Sequence, residues 1–190
     1  ERTHMKPTEI DVSLYQQQGY LAPVDIFSPE EAPQLLEVYH RLRKLLPPGA
    51  STQKMDWWHG HDRELMNICT RPNILDSVEE LLGPDFYLWG SQFFSKDPGD
   101  GKTTPWHQDA FYWPLSPHNS VTVWLAFADT DELNGAMQVV PGTHRLQVRA
   151  ADTSVVPEVD GDYSDALAVT VVPRPSQPTG LRVVAAPGSR

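Results

Sequence analysis

Residues 121–128 read Val121-Thr122-Val123-Trp124-Leu125-Ala126-Phe127-Ala128. Val121, Val123, Leu125 and Phe127 fall on one side of an extended chain, and Thr122, Trp124, Ala126 and Ala128 on the other. That period of two marks a strand with one face in a core. Upstream, Phe86 to Phe94 is an aromatic, strand-like run. Downstream, Asn134-Gly135 signals a tight turn, followed by the short apolar run Ala136 to Val140, a stop at Pro141-Gly142, and a further strand from Ala166 to Val172. Before Gly83 the period is 3.6. Ser28-Pro29-Glu30-Glu31 reads as an N-cap, a proline at the first helical position and a capping-box glutamate. Leu35, Tyr39, Leu42 and Leu46 then share a stripe, with Val38 and Leu45 beside it, until Pro47-Pro48-Gly49. A second helix is expected from Pro72 to Leu82, ending at Gly83-Pro84. Helices first and strands afterwards predict an α+β chain, mainly β in its second half. Its core would be an antiparallel sandwich or jelly roll with the helices packed outside.

The remaining composition narrows the class. A chain of 190 residues with 39% hydrophobic and 21% charged residues can bury one core of ordinary size. A net charge of −10 argues against a nucleic-acid partner. The single cysteine, Cys69, excludes an intrachain disulfide and a CxxC zinc site and reads as a small core residue. No apolar run approaches the ~20 residues of a membrane helix, and no secretory signal is seen at the start, so the expectation is a cytoplasmic chain without a membrane partner. Residues 1–8 are read as a tag remnant or disordered start, 9–172 as one domain, and 173–190 as an atypical tail with four prolines and two glycines.

The densest chemistry lies in Pro105-Trp106-His107-Gln108-Asp109. In an extended segment residues i and i+2 point to the same side, so the His107 imidazole and the Asp109 carboxylate can converge on one ion. One imidazole and one carboxylate suit divalent iron in a 2-His-1-carboxylate site with open positions. Spacing alone is weak, because chance gives about half of one HxD in a chain of this composition; a surface pair at a strand start is the alternative. His59 and His61 form a rival pair in Trp57-Trp58-His59-Gly60-His61-Asp62, with a polar loop as the competing reading. His144 reads as a turn side chain, and His40 and His118 as surface residues. Trp124, a large ring among small neighbours, either walls a cavity or belongs to the core.

The stretches TTPWHQDAFYWPLSP and VTVWLAFADTDELNGAMQVVPGTHR, with NICTRPNILDSVEELLGPDF and SQFFSKDPGDGK before them, resemble the phytanoyl-CoA dioxygenase family of iron(II)/2-oxoglutarate oxygenases. The resemblance runs from about Val12 to at least Val172. It implies a double-stranded β-helix and an enzyme that uses Fe(II), 2-oxoglutarate and O2 to hydroxylate a small organic substrate: an acyl-CoA thioester, an amino-acid-like solute or a natural-product intermediate. His107 and Asp109 become the catalytic metal ligands. Lys54, Gln92 and Trp124 take the positions of cosubstrate contacts. Because Asp109 is retained, hydroxylation is implied over halogenation. The pattern departs from the family after His144, where no further histidine occurs, so the distal iron ligand and its accompanying arginine have no match and the C-terminal strands look incomplete. Arg182 and Arg190 fall in no matching motif. A second expectation follows from that departure: a catalytically impaired binding protein that keeps the pocket without holding iron well.

Overall fold

The computed structural model describes residues 5–97, 99, 103–109, 113, 119–131, 133–142 and 164–173, the last stretch as backbone alone. Its first helix, α1 (Val12–Gln18), lies in a segment with no strong apolar period. Local capping explains it: the Asp11 carboxylate accepts the Leu14 N–H at 2.8 Å, and Gly19 ends the helix in the left-handed region at φ 80.

Helix α2 (Ala32–Arg43) starts three residues later than the Ser28 cap implies. Residues 29–31 turn instead, yet half of the capping box remains, because the Ser28 N–H donates to the Glu31 carboxylate at 2.9 Å. The stripe is otherwise as expected, with Leu35, Val38, Tyr39 and Leu42 buried; Leu45, past the helix end, is 67% exposed. Two short 3₁₀ turns (Thr52–Lys54 and Trp58–Gly60) follow.

Helix α3 (Arg63–Cys69) is capped by Asp62, which accepts the Leu65 N–H at 2.9 Å. The same carboxylate is gripped by Arg41 at 2.7 and 3.0 Å, and that guanidinium holds it below the usual carboxylate range. Helix α4 (Pro72–Leu82) has the bounds the sequence implies, with Pro72 in its first turn and Gly83 at its C-cap.

Strands β1 (Phe86–Lys96), β2 (Val121–Ala126) and β3 (Ser164–Pro173) form one antiparallel sheet in the order β1-β3-β2. One face closes the core. Phe93 of β1 and Val121 and Leu125 of β2 are buried there with Phe127, against Leu35, Val38, Tyr39 and Leu42 of α2, Leu65 and Ile68 of α3, and Ile74 and Val78 of α4. The Phe93 ring sits 5.4 Å from Tyr39 and 5.8 Å edge-on from Phe127, joining helix and sheet through aromatic contact. Cys69 is buried in the same core, and burial pushes its thiol up to about 12.

The register fixes what faces the other way. Gln92 of β1 and Trp124 of β2 are both opposite Ala168 of β3, and Gly90 and Thr122 are both opposite Thr170. Directly paired residues share a face, so Gly90, Gln92, Thr122 and Trp124 all lie on the face away from the core. A register shift between Leu88 and Gly90 makes Trp89 the extra residue of a bulge.

Residues 136–140 are not a strand. The Asp131 carboxylate accepts the N–H groups of Leu133 and Asn134, and the Ala136 N–H returns to the Asp131 carbonyl, which closes a compact turn. The chain beyond has no ladder partner among the described residues, and Met137 and Val140 are about half exposed. The architecture of the described residues is therefore α+β, with one three-stranded sheet and helices on its core face; a second sheet is not among them. No described helix is long and apolar enough to cross a membrane.

Candidate functional site

His107 and Asp109 follow a proline and precede β2 without belonging to a strand, yet their side chains meet, with His107 Nε2 3.2 Å from Asp109 Oδ1. The other imidazole nitrogen, Nδ1, lies 2.7 Å from the Pro105 carbonyl oxygen. A carbonyl only accepts, so Nδ1 carries the proton and donates it. In the neutral ring, the Nε2 lone pair then faces a carboxylate oxygen. That opposition is relieved by a second ring proton or by a cation held between the two atoms.

The Asp109 carboxylate is fixed from its far side, where Oδ2 accepts the Thr122 hydroxyl at 2.9 Å. Thr122 lies on the face of the sheet away from the core, so this bond ties the His107 and Asp109 pair to the face that carries Trp124 and Gln92. The donor set fits a divalent metal. A ligating histidine ordinarily gives its second N–H to a carbonyl or carboxylate, and a ligating carboxylate is itself hydrogen-bonded. Neighbouring ligands at about 2.1 Å from a first-row ion stand about 3.0 Å apart when at right angles. Among the described residues no set of three His, Cys, Asp or Glu is placed to hold a metal ion. His144, the turn histidine of the sequence, lies outside the described residues, as do Arg145, Arg182 and Arg190.

The three expected cosubstrate contacts are placed as follows. Trp124 and Gln92 occupy one cross-strand row, two strand spacings apart, about 10 Å. The Gln92 amide donates to the Gln53 carbonyl through a long bond of 3.4 Å. Lys54, exposed at the end of the first 3₁₀ turn, is therefore next in sequence to the residue that touches Gln92.

Trp57 is a residue that the sequence reading missed as part of this wall. It has a φ of 64, rare for a bulky side chain and worth about 1–3 kcal/mol of backbone strain. Its N–H donates to the Ser91 carbonyl at 2.9 Å. Its indole covers Gly90, where a Cβ would stand 3.4 Å from Trp57 Nε1. Gly90 faces the same way as Gln92 and Thr122, so the half-exposed indole lies on the site face, edge-on to Trp89 at 6.1 Å. The bulge at Trp89 and the bare backbone at Gly90 make room for it. The sequence signal was the glycine inside an aromatic strand.

Of the rival histidine pair, His59 is engaged elsewhere. His59 Nδ1 lies 2.6 Å from the hydroxyl of Ser91, a buried residue on the opposite face from Asp109. Burial holds the His59 imidazole below its usual range; Asp56 opposes that shift and His61 adds to it.

A family model described as phytanoyl-CoA dioxygenase (PhyH) matches residues 15–172. The chain is 41% identical over 95 residues to peroxisomal phytanoyl-CoA dioxygenase of Bos taurus, an alignment that takes in 48% of this chain and 28% of that protein. The Mus musculus counterpart is 28% identical over 162 residues, which is 73% of this chain and 48% of that one. The matches thus span about half or less of these curated relatives. Among solved structures, CytC3 with Fe(II) and alpha-ketoglutarate superposes with a TM-score of 0.64 at 28% identity, covering 85% of this chain and 76% of that chain.

Proposed function

The chain belongs to the phytanoyl-CoA dioxygenase family of iron(II)/2-oxoglutarate-dependent oxygenases, and from that premise we propose that it hydroxylates a small organic substrate at an iron(II) site held by His107 and Asp109. The observation that carries this reading is the arrangement of that pair. Nδ1 is tied to the Pro105 carbonyl and Oδ2 to the Thr122 hydroxyl, and the remaining nitrogen and oxygen are turned toward each other at 3.2 Å. The three-stranded sheet is then one wall of a double-stranded β-helix, and residues 9–172 form one oxygenase domain.

The chain's own groups divide the work. The Pro105 carbonyl keeps the proton on His107 Nδ1, so Nε2 is presented as a lone pair. Thr122 orients the Asp109 carboxylate, the anionic ligand. The Lys54 ammonium, the Gln92 amide and the Trp124 indole N–H are donors suited to an anionic dicarboxylate such as 2-oxoglutarate. When bound, iron(II) supplies the reduction of O2 that accompanies decarboxylation of 2-oxoglutarate to succinate and hydroxylation of a carbon. No separate general base is required of the protein. The substrate is an acyl-CoA thioester, an amino-acid-like solute or a natural-product intermediate.

The pair is two ligands rather than three among the described residues, which favours a second reading: a protein that keeps the pocket but turns over poorly. Succinate formation with Fe(II), ascorbate, O2 and 2-oxoglutarate decides between them. Turnover in the unaltered chain that is lost in His107→Ala supports the oxygenase reading; background succinate from both supports the second. If turnover is robust, His144 is the first residue to test as the third ligand.

A further inference from the structure

Ser91 is one of the points at which the segment 51–61 is fastened to β1. It is 2% exposed. Its hydroxyl lies 2.6 Å from His59 Nδ1, while its carbonyl accepts the Trp57 N–H at 2.9 Å. Alternation turns its neighbour Gln92 to the other face, where Trp124 and Thr122 lie. One residue thus anchors the segment through its side chain on the core face and through its backbone at the strand edge, directly before the residue that faces the site.

We infer that His59 is a positioning residue for the cosubstrate wall: its bond to Ser91 holds the segment 51–61 against β1 and so fixes where Lys54 and the Trp57 indole stand relative to Gln92. The inference rests on the reading of Lys54 and Gln92 as 2-oxoglutarate contacts.

Three features support it. The segment is strained at Trp57, whose left-handed backbone relaxes unless both flanks are held. The upstream flank is held by the Ser95 hydroxyl donating to Thr52 Oγ1 at 2.8 Å and by the long Gln92 bond to the Gln53 carbonyl. On the downstream side, the Trp57 N–H fixes only the strained residue itself, and His59 supplies the side-chain tie that follows it. That tie ends on a hydroxyl buried from water, where a lost partner is not replaced by solvent. Burial also keeps the His59 ring toward its neutral form, able to exchange a hydrogen bond with the Ser91 hydroxyl.

The test is the equilibrium affinity of the full chain for 2-oxoglutarate, measured by anaerobic calorimetry with Fe(II) present, beside its affinity for Fe(II) alone. His59→Phe is expected to weaken 2-oxoglutarate about three- to tenfold, the range for one buried hydrogen bond, and to leave Fe(II) affinity within about twofold. His59→Gln, whose amide can still bond the Ser91 hydroxyl, is expected to recover most of the loss. Ser91→Ala removes the same bond with a smaller change of volume and keeps the test open if the phenylalanine variant misfolds. Lys54→Ala separates the inference from its premise. Weaker 2-oxoglutarate binding in Lys54→Ala but not in Ser91→Ala or a folded His59→Phe overturns the role of His59 alone. An unchanged Lys54→Ala, or no 2-oxoglutarate binding by the unaltered chain, overturns the premise and the inference with it. Equal weakening of Fe(II) and 2-oxoglutarate shows a general loss of structure and also overturns it.

Discussion

Replacing Thr122 by valine removes one atom's chemistry from the site and little else. The Thr122 hydroxyl donates to Asp109 Oδ2 at 2.9 Å, and valine keeps the branched shape and strand preference of threonine at an exposed position of β2. Stability should therefore stay within about 0.5 kcal/mol. The bond has an ionised acceptor, a class that contributes about 1.5–3 kcal/mol. Water can replace part of it at an exposed threonine, so we take about 1–1.5 kcal/mol. At 1.4 kcal/mol per factor of ten, metal affinity should fall roughly tenfold, at the lower end of the 10- to 100-fold typical of groups that orient metal ligands. Anaerobic Fe(II) titration of the unaltered chain, Thr122→Val and Thr122→Ser measures this directly. Thr122→Ser retains the hydroxyl and should stay near the unaltered value. Equal Fe(II) affinity in a folded Thr122→Val would refute the reasoning, because Asp109 would then need no orientation from β2.

Other expectations concern stability. Phe93→Ala opens a fully buried site between Tyr39 and Phe127 and should lower unfolding free energy by about 3–5 kcal/mol in a urea titration; a change below about 1 kcal/mol would remove Phe93 from the core. Asp62→Ala loses the α3 cap and the partly exposed Arg41 pair together and should lose about 1–2 kcal/mol, whereas Asp62→Ser, which keeps only the cap, should lose less. The native state depresses the His59 affinity for a proton, so its contribution to stability is present above about pH 6.5 and lost as pH falls through its lower native value. The Asp56 carboxyl, raised by burial, works in the opposite sense as pH rises above about 3.8. Chemical denaturation between pH 7 and 5 should show a flatter pH dependence in His59→Gln than in the unaltered chain.

What the sequence made legible follows from where physics is local. The α4 bounds, the β2 alternation and the turn at Asn134-Gly135 depend on neighbours within one or two turns, and each stands where its residues put it. Helix α1 was missed because seven residues held by an aspartate cap and a C-terminal glycine carry too little apolar period to detect. The run 136–140 is apolar in composition, but strand pairing is a tertiary event and the Asp131 turn takes the chain another way. The His107 and Asp109 pair was visible as a spacing. What brings it to the sheet, the Thr122 hydroxyl, lies 13 residues from Asp109 in the chain, and only the strand face it shares with Trp124 hinted at it. The linkage of His59 to Ser91 crosses 32 residues and had no sequence signature at all.

The most direct test of a metal centre at His107 and Asp109 is Fe(II) bound per chain at equilibrium, by anaerobic dialysis, in the unaltered protein, His107→Ala and Asp109→Ala. The expected result is one ion per folded chain in the unaltered protein and a loss of at least tenfold in affinity for either variant, with melting temperatures near the unaltered value because both side chains are partly exposed. Undiminished Fe(II) binding by both folded variants, or none by the unaltered chain, would contradict it.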